Sequence, residues 1–192
     1  IVELCYKAKN WAELKKNVQL LAKRRGQIKS AIKEMVIKVM GYLDSVDYDT
    51  KLDFISVLVS VTEGKIFVEK QRAALTLQLA LIKEKEGKIV EAATILQEVQ
   101  VETFGAMTKQ EKLHFILEQM RLCLLKKDYI RTQVISRKVS TKVFDNEAFQ
   151  ALKERYYLLM VDFWHHENNY LEIARCYQHI YNTPNIKKDQ EA

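Results

Sequence analysis

The sequence is short of the residues that make turns. Its 192 residues include five glycines and one proline, where average usage would supply roughly fourteen and ten. Hairpins and tight strand-to-helix turns draw on Gly, Pro and Asn-Gly pairs, which argues against a β-sandwich or barrel. Glycine-rich phosphate loops are equally hard to assemble, and nucleotide-binding folds depend on them. Cysteine is also scarce. Cys5, Cys123 and Cys176 are odd in number and far apart, which argues against a disulfide framework and for a reducing compartment. Each sits among apolar neighbours and reads as a buried thiol. No apolar run approaches the roughly twenty residues of a membrane span. The most apolar stretch, Phe54 to Val61, is short and holds two serines. Ile1 to Leu4 carries neither an initiator Met nor a signal-peptide pattern and reads as the middle of a helix. A fragment of a longer protein is therefore expected.

What the chain does have is 48% hydrophobic and 29% charged residues, enough for a real core and a solvated surface. The apolar spacing is helical. Trp11, Leu14, Val18 and Leu21 form one stripe, and Ile28, Ile32, Met35, Val36, Val39 and Leu43 a second. Leu113, Ile116, Leu117, Met120 and Leu124 form a third, and Tyr170, Ile173, Ala174, Tyr177 and Tyr181 a fourth. Ile55 to Val61 is β-branched enough to suit a strand, but it reads as helix because no partner strand is apparent. Gly26 and Gly105 are candidate C-terminal caps. Thr108 and Glu111 have capping-box spacing, and Asp49 or Thr50 is a candidate N-cap.

A short polar turn followed by a large residue recurs four times, at Lys9-Asn10-Trp11, Gly87-Lys88-Ile89, Lys127-Asp128-Tyr129 and Asn168-Asn169-Tyr170. The large residues lie 78, 40 and 41 positions apart. The pattern implies a repeat of about 40 residues, each holding two helices. The pairs are roughly 11–25 with 28–46, 50–63 with 66–86, 88–103 with 108–126, and 129–140 with 146–167. A last helix near 170–182 opens a fifth repeat. The fold expected is all-α, a right-handed α-solenoid of tetratricopeptide-like helix pairs spanning residues 1–183. Residues 184–192 read as a polar tail or truncation point.

Catalytic chemistry finds no footing. No phosphate-binding loop, nucleophile elbow, zinc-binding helix motif or Cys-x-x-Cys pair is present. His165 and His166 are adjacent, so on a helix they point about 100° apart. No metal and no cofactor is expected. Glu84/Glu86 and Asp47/Asp49 read as solvated turn residues, and Trp11, Tyr129 and Tyr170 as core packing. Charge is the uneven feature. Residues 1–40 hold ten Lys/Arg against three acids, whereas 41–192 hold 21 against 22. Lys15, Lys16, Lys23, Arg24, Arg25 and Lys29, with Lys33 and Lys38 beyond them, make a basic first helix pair. They suit an ordinary solvated face, or a contact with an acidic protein surface. Nucleic acid is disfavoured, because the exposed aromatics of a single-strand binder are not interleaved with them.

Some segments carry more than periodicity. They include Leu20-Leu21-Ala22-Lys23-Arg24-Arg25-Gly26-Gln27-Ile28-Lys29 and Val61-Thr62-Glu63-Gly64-Lys65-Ile66-Phe67-Val68-Glu69. Ala92 to Gly105, Phe115 to Leu122, and Asp128 to Lys138 add to them. Together they resemble the PCI-domain lid subunits of the 26S proteasome regulatory particle, in one register from about residue 1 to 190. The resemblance implies a non-catalytic scaffold supporting assembly and ubiquitin-dependent protein degradation. It implies a helical-repeat arm, with the PCI and winged-helix modules lying beyond this chain. Implied partners are other lid subunits, the base ATPases and the core-particle α subunits, with no membrane, in cytoplasm and nucleus. The alternatives are a PCI subunit of the related signalosome and an RNA-binding helical-repeat protein.

Overall fold

The computed structural model describes residues 1–24 and 26–184, and these contain helices and no strand. Ten α-helices follow one another: α1 (Val2–Lys7), α2 (Trp11–Lys23), α3 (Lys29–Tyr42), α4 (Tyr48–Thr62), α5 (Glu69–Lys85), α6 (Ile89–Gln97), α7 (Lys109–Leu125), α8 (Tyr129–Ser136), α9 (Gln150–His166) and α10 (Tyr170–Tyr181). Short 3₁₀ turns precede α5, α7 and α9. The β-branched stretch 55–61 lies inside α4, as expected. Arg25 and the polar tail from Lys187 to Ala192 lie outside the described residues.

The four recurring polar turns share one backbone solution. Lys9, Gly87, Lys127 and Asn168 each adopt the left-handed conformation, with φ of 51°, 78°, 63° and 53°. In each turn two N–H groups reach back to the helix just ended. Lys127 and Asp128 donate to Leu124 and Cys123 carbonyls at 2.9 Å, and Gly87 and Lys88 donate to Glu84 and Lys83 at 2.9 Å. This is the Schellman pattern, which satisfies carbonyls that the helix end leaves open. The next residue begins the following helix at once. Asn10, Asp128 and Asn169 each accept the backbone N–H three residues on. One tripeptide thus stops one helix and starts the next, and the two helices close into a tight hairpin.

That geometry corrects the expected pairing. The closest partners are α5 with α6, α7 with α8, and α9 with α10, joined through the polar turns. The turns sit inside helix pairs, not between them. The long members α5, α7 and α9 have 17 residues each and start at 69, 109 and 150.

Other local expectations divide. The capping box at Thr108 and Glu111 is present in full. The cap of α4 is Asp47, which accepts from the Thr50 N–H at 3.0 Å, and not Asp49 or Thr50. Gly26 is left-handed and so is Gly64, but Gly105 is not. Gly105 follows a 3₁₀ turn and donates its N–H to Glu69 at 3.1 Å.

The core is in two clusters. Leu14, Val18, Val36, Ile55 and Leu58 centre the first, and Leu96, Leu117, Met120 and Leu122 the second. Helix α5 serves both: Leu75 belongs to the first, Ala73 and Ala80 to the second. Cys123 and Cys176 are buried as expected, and Cys5 is half-buried. Trp11 packs edge-on against Phe54 and Tyr129 stacks on His166 at 3.5 Å. Tyr170, expected in the core, is 70% exposed at the start of α10.

The hairpin turns make a direct prediction. Asp128→Ala removes the cap of α8 and is expected to cost about 1 kcal/mol. Lys127→Gly relieves a left-handed lysine and is expected to raise stability by up to about 1 kcal/mol. Paired urea melts of the two variants check both signs, and a loss of stability in the glycine variant contradicts the turn geometry.

Candidate interaction surface

The basic residues lie on α2, α3 and the turn between them, and the fold divides them into two groups. Lys15 reaches across to Asp53 of α4 at 2.7 Å. Lys16 pairs with Glu13 at 3.5 Å, and Lys38 with Glu3 of α1. These three charges are partly spent within the fold. Lys23, Arg24, Lys29 and Lys33 are exposed and have no ion pair among the described residues. Arg25, the sixth residue of the expected contact, lies outside the described residues.

Local electrostatics sharpen this second group. Lys23 and Arg24 stand at the end of α2, where the partial negative charge of the helix favours cations. Lys29 stands in the first turn of α3, where the helix end is already partially positive. No side chain caps that end. Lys29 therefore stands at a helix N-terminus that no side chain caps, with Lys23 and Arg24 at the end of the preceding helix. That combination attracts carboxylates.

Sequence reasoning missed a second arrangement, the charged chain that ties the long helices together. Glu84 of α5 takes both arms of Arg121 from α7, at 2.5 and 2.7 Å. The Nε of Arg121 donates to Glu118 at 2.9 Å, and Arg155 of α9 donates to the other oxygen of Glu118. The pairs Glu84–Arg121 and Glu118–Arg155 each span 37 positions. The spacing was available in the sequence, but nothing local marks these four residues as partners. The Arg121 hydrogen bonds hold the Glu84 carboxyl below its ordinary value. Burial pushes Glu118 up, and the two guanidiniums outweigh it, so Glu118 also lies below the usual carboxylate range. Glu86 is no solvated loop residue either. It accepts from the Tyr48 hydroxyl at 2.6 Å and pairs with Lys83 and Lys88, which brings it down to about 2. Gln119 is a further tie. Its amide donates to the carbonyls of Leu96 and Val99 at the end of α6, at 2.7 and 2.9 Å.

No group of three or more His, Cys, Asp or Glu among the described residues is placed to hold a metal ion. Burial raises both buried thiols, Cys176 to about 11, which makes them poor nucleophiles. No helix among the described residues is long and apolar enough to cross a membrane.

A family model described as PSMD12/CSN4, N-terminal, matches residues 1–189. The chain belongs to this family. Within it, the 26S proteasome non-ATPase regulatory subunit 12 homolog B of Arabidopsis thaliana is 43% identical over the whole chain and 49% of its own length. The subunit 12 of Dictyostelium discoideum is 47% identical over 98% of this chain and 42% of its own. The 26S proteasome regulatory subunit RPN5 of Saccharomyces cerevisiae is 47% identical over 99% and 43%. The chain thus spans a little under half the length of these relatives. The resemblance read from the sequence holds at the level of the family. Among solved structures, BtubC (BKLC) from P. vanneervenii superposes with a TM-score of 0.57 at 11% identity, covering all of this chain and 78% of that one. That likeness concerns the fold alone.

Proposed function

We propose that this chain is the N-terminal arm of a non-catalytic scaffold subunit of the proteasome lid. The observation that carries the reading is the match to proteasome regulatory subunits from three organisms, at 43–47% identity over 98–100% of this chain. The arm is a solenoid of helix pairs that offers surface and stiffness, and its work is to hold other proteins in position. Its partners are other lid subunits, the base ATPases and the core-particle α subunits, in cytoplasm and nucleus. The family description also covers a second branch, CSN4, so a signalosome subunit is the alternative within the family. An RNA-binding role ranks below both, because Lys15, Lys16 and Lys38 are paired inside the fold.

The turn between α2 and α3 is the part of the arm best suited to an acidic protein face. Lys23, Arg24, Arg25 and Lys29 form that contact, with Lys15 and Lys16 at its margin. Reconstitution of the full-length protein with purified lid subunits tests the scaffold reading, and failure to enter any lid sinks it. The contact has its own prediction. Lys29→Glu is expected to stabilise the isolated chain by about 0.5 kcal/mol, since an acid in the first turn complements the helix dipole. The same change is expected to weaken association with the acidic partner and to reduce its salt dependence. Salt-dependent binding with unchanged affinity in this variant rules the contact out.

A further inference from the structure

The short helices of the three C-terminal hairpins begin at the same point after their left-handed turns, so their positions compare directly. The first, fifth and eighth residues fall on one face of a helix. They are Ile89, Ala93 and Leu96 in α6, Tyr129, Gln133 and Ser136 in α8, and Tyr170, Ala174 and Tyr177 in α10. In α6 this face is covered: Ala93 and Leu96 are buried and Ile89 is half-buried. In α8 Ser136 is buried, and Tyr129 and Gln133 are half-buried. In α10 the same face is open. Tyr170 is 70% and Tyr177 51% exposed, and Ala174 is exposed between them. The last hairpin is not simply looser than the others. The second residue of each short helix, Val90, Ile130 and Leu171, is exposed in all three, at 60%, 82% and 62%. The other side of α10 is packed on α9, with Ile173 and Cys176 buried and His179 stacked on Tyr157 at 4.6 Å.

In the first two hairpins the cover is the next long helix. Helix α7 packs on α6, where Gln119 donates to Leu96 and Val99. Ile89 there lines one cleft with Leu125 and Lys126, 36 and 37 positions on. Helix α9 packs on α8, where Tyr129 stacks on His166, 37 positions on. Gln133 lines one cleft with Phe163 of α9. No helix follows α10 among the described residues. The relatives have the length to supply one: the chain spans 42–49% of theirs and matches a family model described as N-terminal.

We infer that Tyr170, Ala174 and Tyr177 are the seat of the next long helix of the same polypeptide in the full-length protein. That helix closes on α10 as α7 closes on α6 and α9 on α8. The step of 36–37 positions seen at Ile89 and Tyr129 fixes its register, so the residue over Tyr170 lies that far along the polypeptide. Tyrosines suit such a seat, because their rings are apolar and their hydroxyls can stay at the wet margin. The arm is then fixed to the part of the protein that follows it, instead of hanging from a linker. The inference does not depend on which complex the protein serves.

The test uses the full-length protein alone in solution. Tyr170 is replaced with p-benzoylphenylalanine, the protein is irradiated, and the crosslink is mapped by mass spectrometry. An equal mixture of isotopically light and heavy protein separates crosslinks within one chain from crosslinks between two. The expected result is a crosslink within one chain, no more than a helical turn from the position 37 residues beyond Tyr170, the step that separates Tyr129 from His166. A crosslink to a second copy, to a site elsewhere in the chain, or to nothing overturns the inference. Hydrogen exchange is a readout independent of the crosslink. Tyr177→Asp places a carboxylate beneath the covering helix and is expected to speed amide exchange across α10 by about tenfold or more. Leu171→Asp, at the position that stays exposed in the covered hairpins, is expected to leave that exchange unchanged. Equal effects of the two variants, or no effect of Tyr177→Asp, also overturn it.

Discussion

Leu75→Ala is expected to cost about 3 kcal/mol and to unfold the two ends of the molecule unequally. Leu75 is fully buried on α5 in the N-terminal cluster, and leucine-to-alanine changes in such sites cost about 2–5 kcal/mol. The unequal effect follows from the architecture. Successive hairpins contact mainly their neighbours, so stability is a sum of local terms. Helix α5 gives Leu75 to one cluster and Ala73 and Ala80 to the other. Removing Leu75 loosens α2, α3 and α4 while leaving Leu96, Leu117 and Met120 packed. Hydrogen exchange should show protection falling first across residues 11–62, with α7 and α9 retained. A Leu117→Ala variant should show the opposite order. Equal loss of protection at both ends in both variants shows one cooperative core and defeats the division.

Arg121→Met is expected to cost about 2–3 kcal/mol at neutral pH, with the deficit shrinking in acid. Arg121 joins Glu84 and Glu118 at once, and Glu118 is 9% exposed. Its loss leaves two carboxylates with reduced compensation. Removing one partner of a fully buried pair costs about 3–5 kcal/mol, and water reaching Glu84 lowers the figure here. The sign in acid is fixed by the direction of the shifts. In the native chain Glu84 and Glu118 are held below their ordinary value of 4.5. Their contribution is present above that value and is lost as pH falls through the depressed folded values. The variant has less of it to lose. Melting temperatures of both proteins between neutral pH and about pH 3 should therefore converge. Parallel curves contradict the charged chain's role. Glu118→Gln is the milder companion, since Arg121 keeps its bidentate bond to Glu84.

These predictions concern residues that the sequence does not mark as partners. The four polar turns, by contrast, are legible in the chain. A left-handed residue followed by Asn, Asp or Lys and a large side chain satisfies its hydrogen bonds within about six residues, so spacing alone exposes it. The capping box at Thr108 and the helical stripes are local for the same reason. Which helices close upon each other is not local. Reading the turns as breaks between pairs, when they lie within pairs, is an error of burial and not of hydrogen bonding. It depends on which apolar faces meet across the turn. Tyr170 shows the same limit. It matches Tyr129 in sequence position, but Tyr129 has His166 to stack on and Tyr170 is exposed at the start of the last described helix.

The basic end of the molecule divides along the same line. The surplus of seven positive charges in residues 1–40 follows from composition. Only the fold assigns Lys15 to Asp53, 38 residues away, and Lys38 to Glu3 across the first helices. It leaves Lys23, Arg24, Lys29 and Lys33 without such partners among the described residues. The sequence alone determined an all-helical chain, its turns and its family, because those rest on short-range hydrogen bonding and on side-chain pattern. Tertiary structure decided which charges are spent, which side chains of the last hairpin are left exposed, and where one core gives way to the next. These depend largely on contacts between residues far apart in the chain, 37 positions for Glu84–Arg121 and Glu118–Arg155, and such contacts exist only once the hairpins have packed.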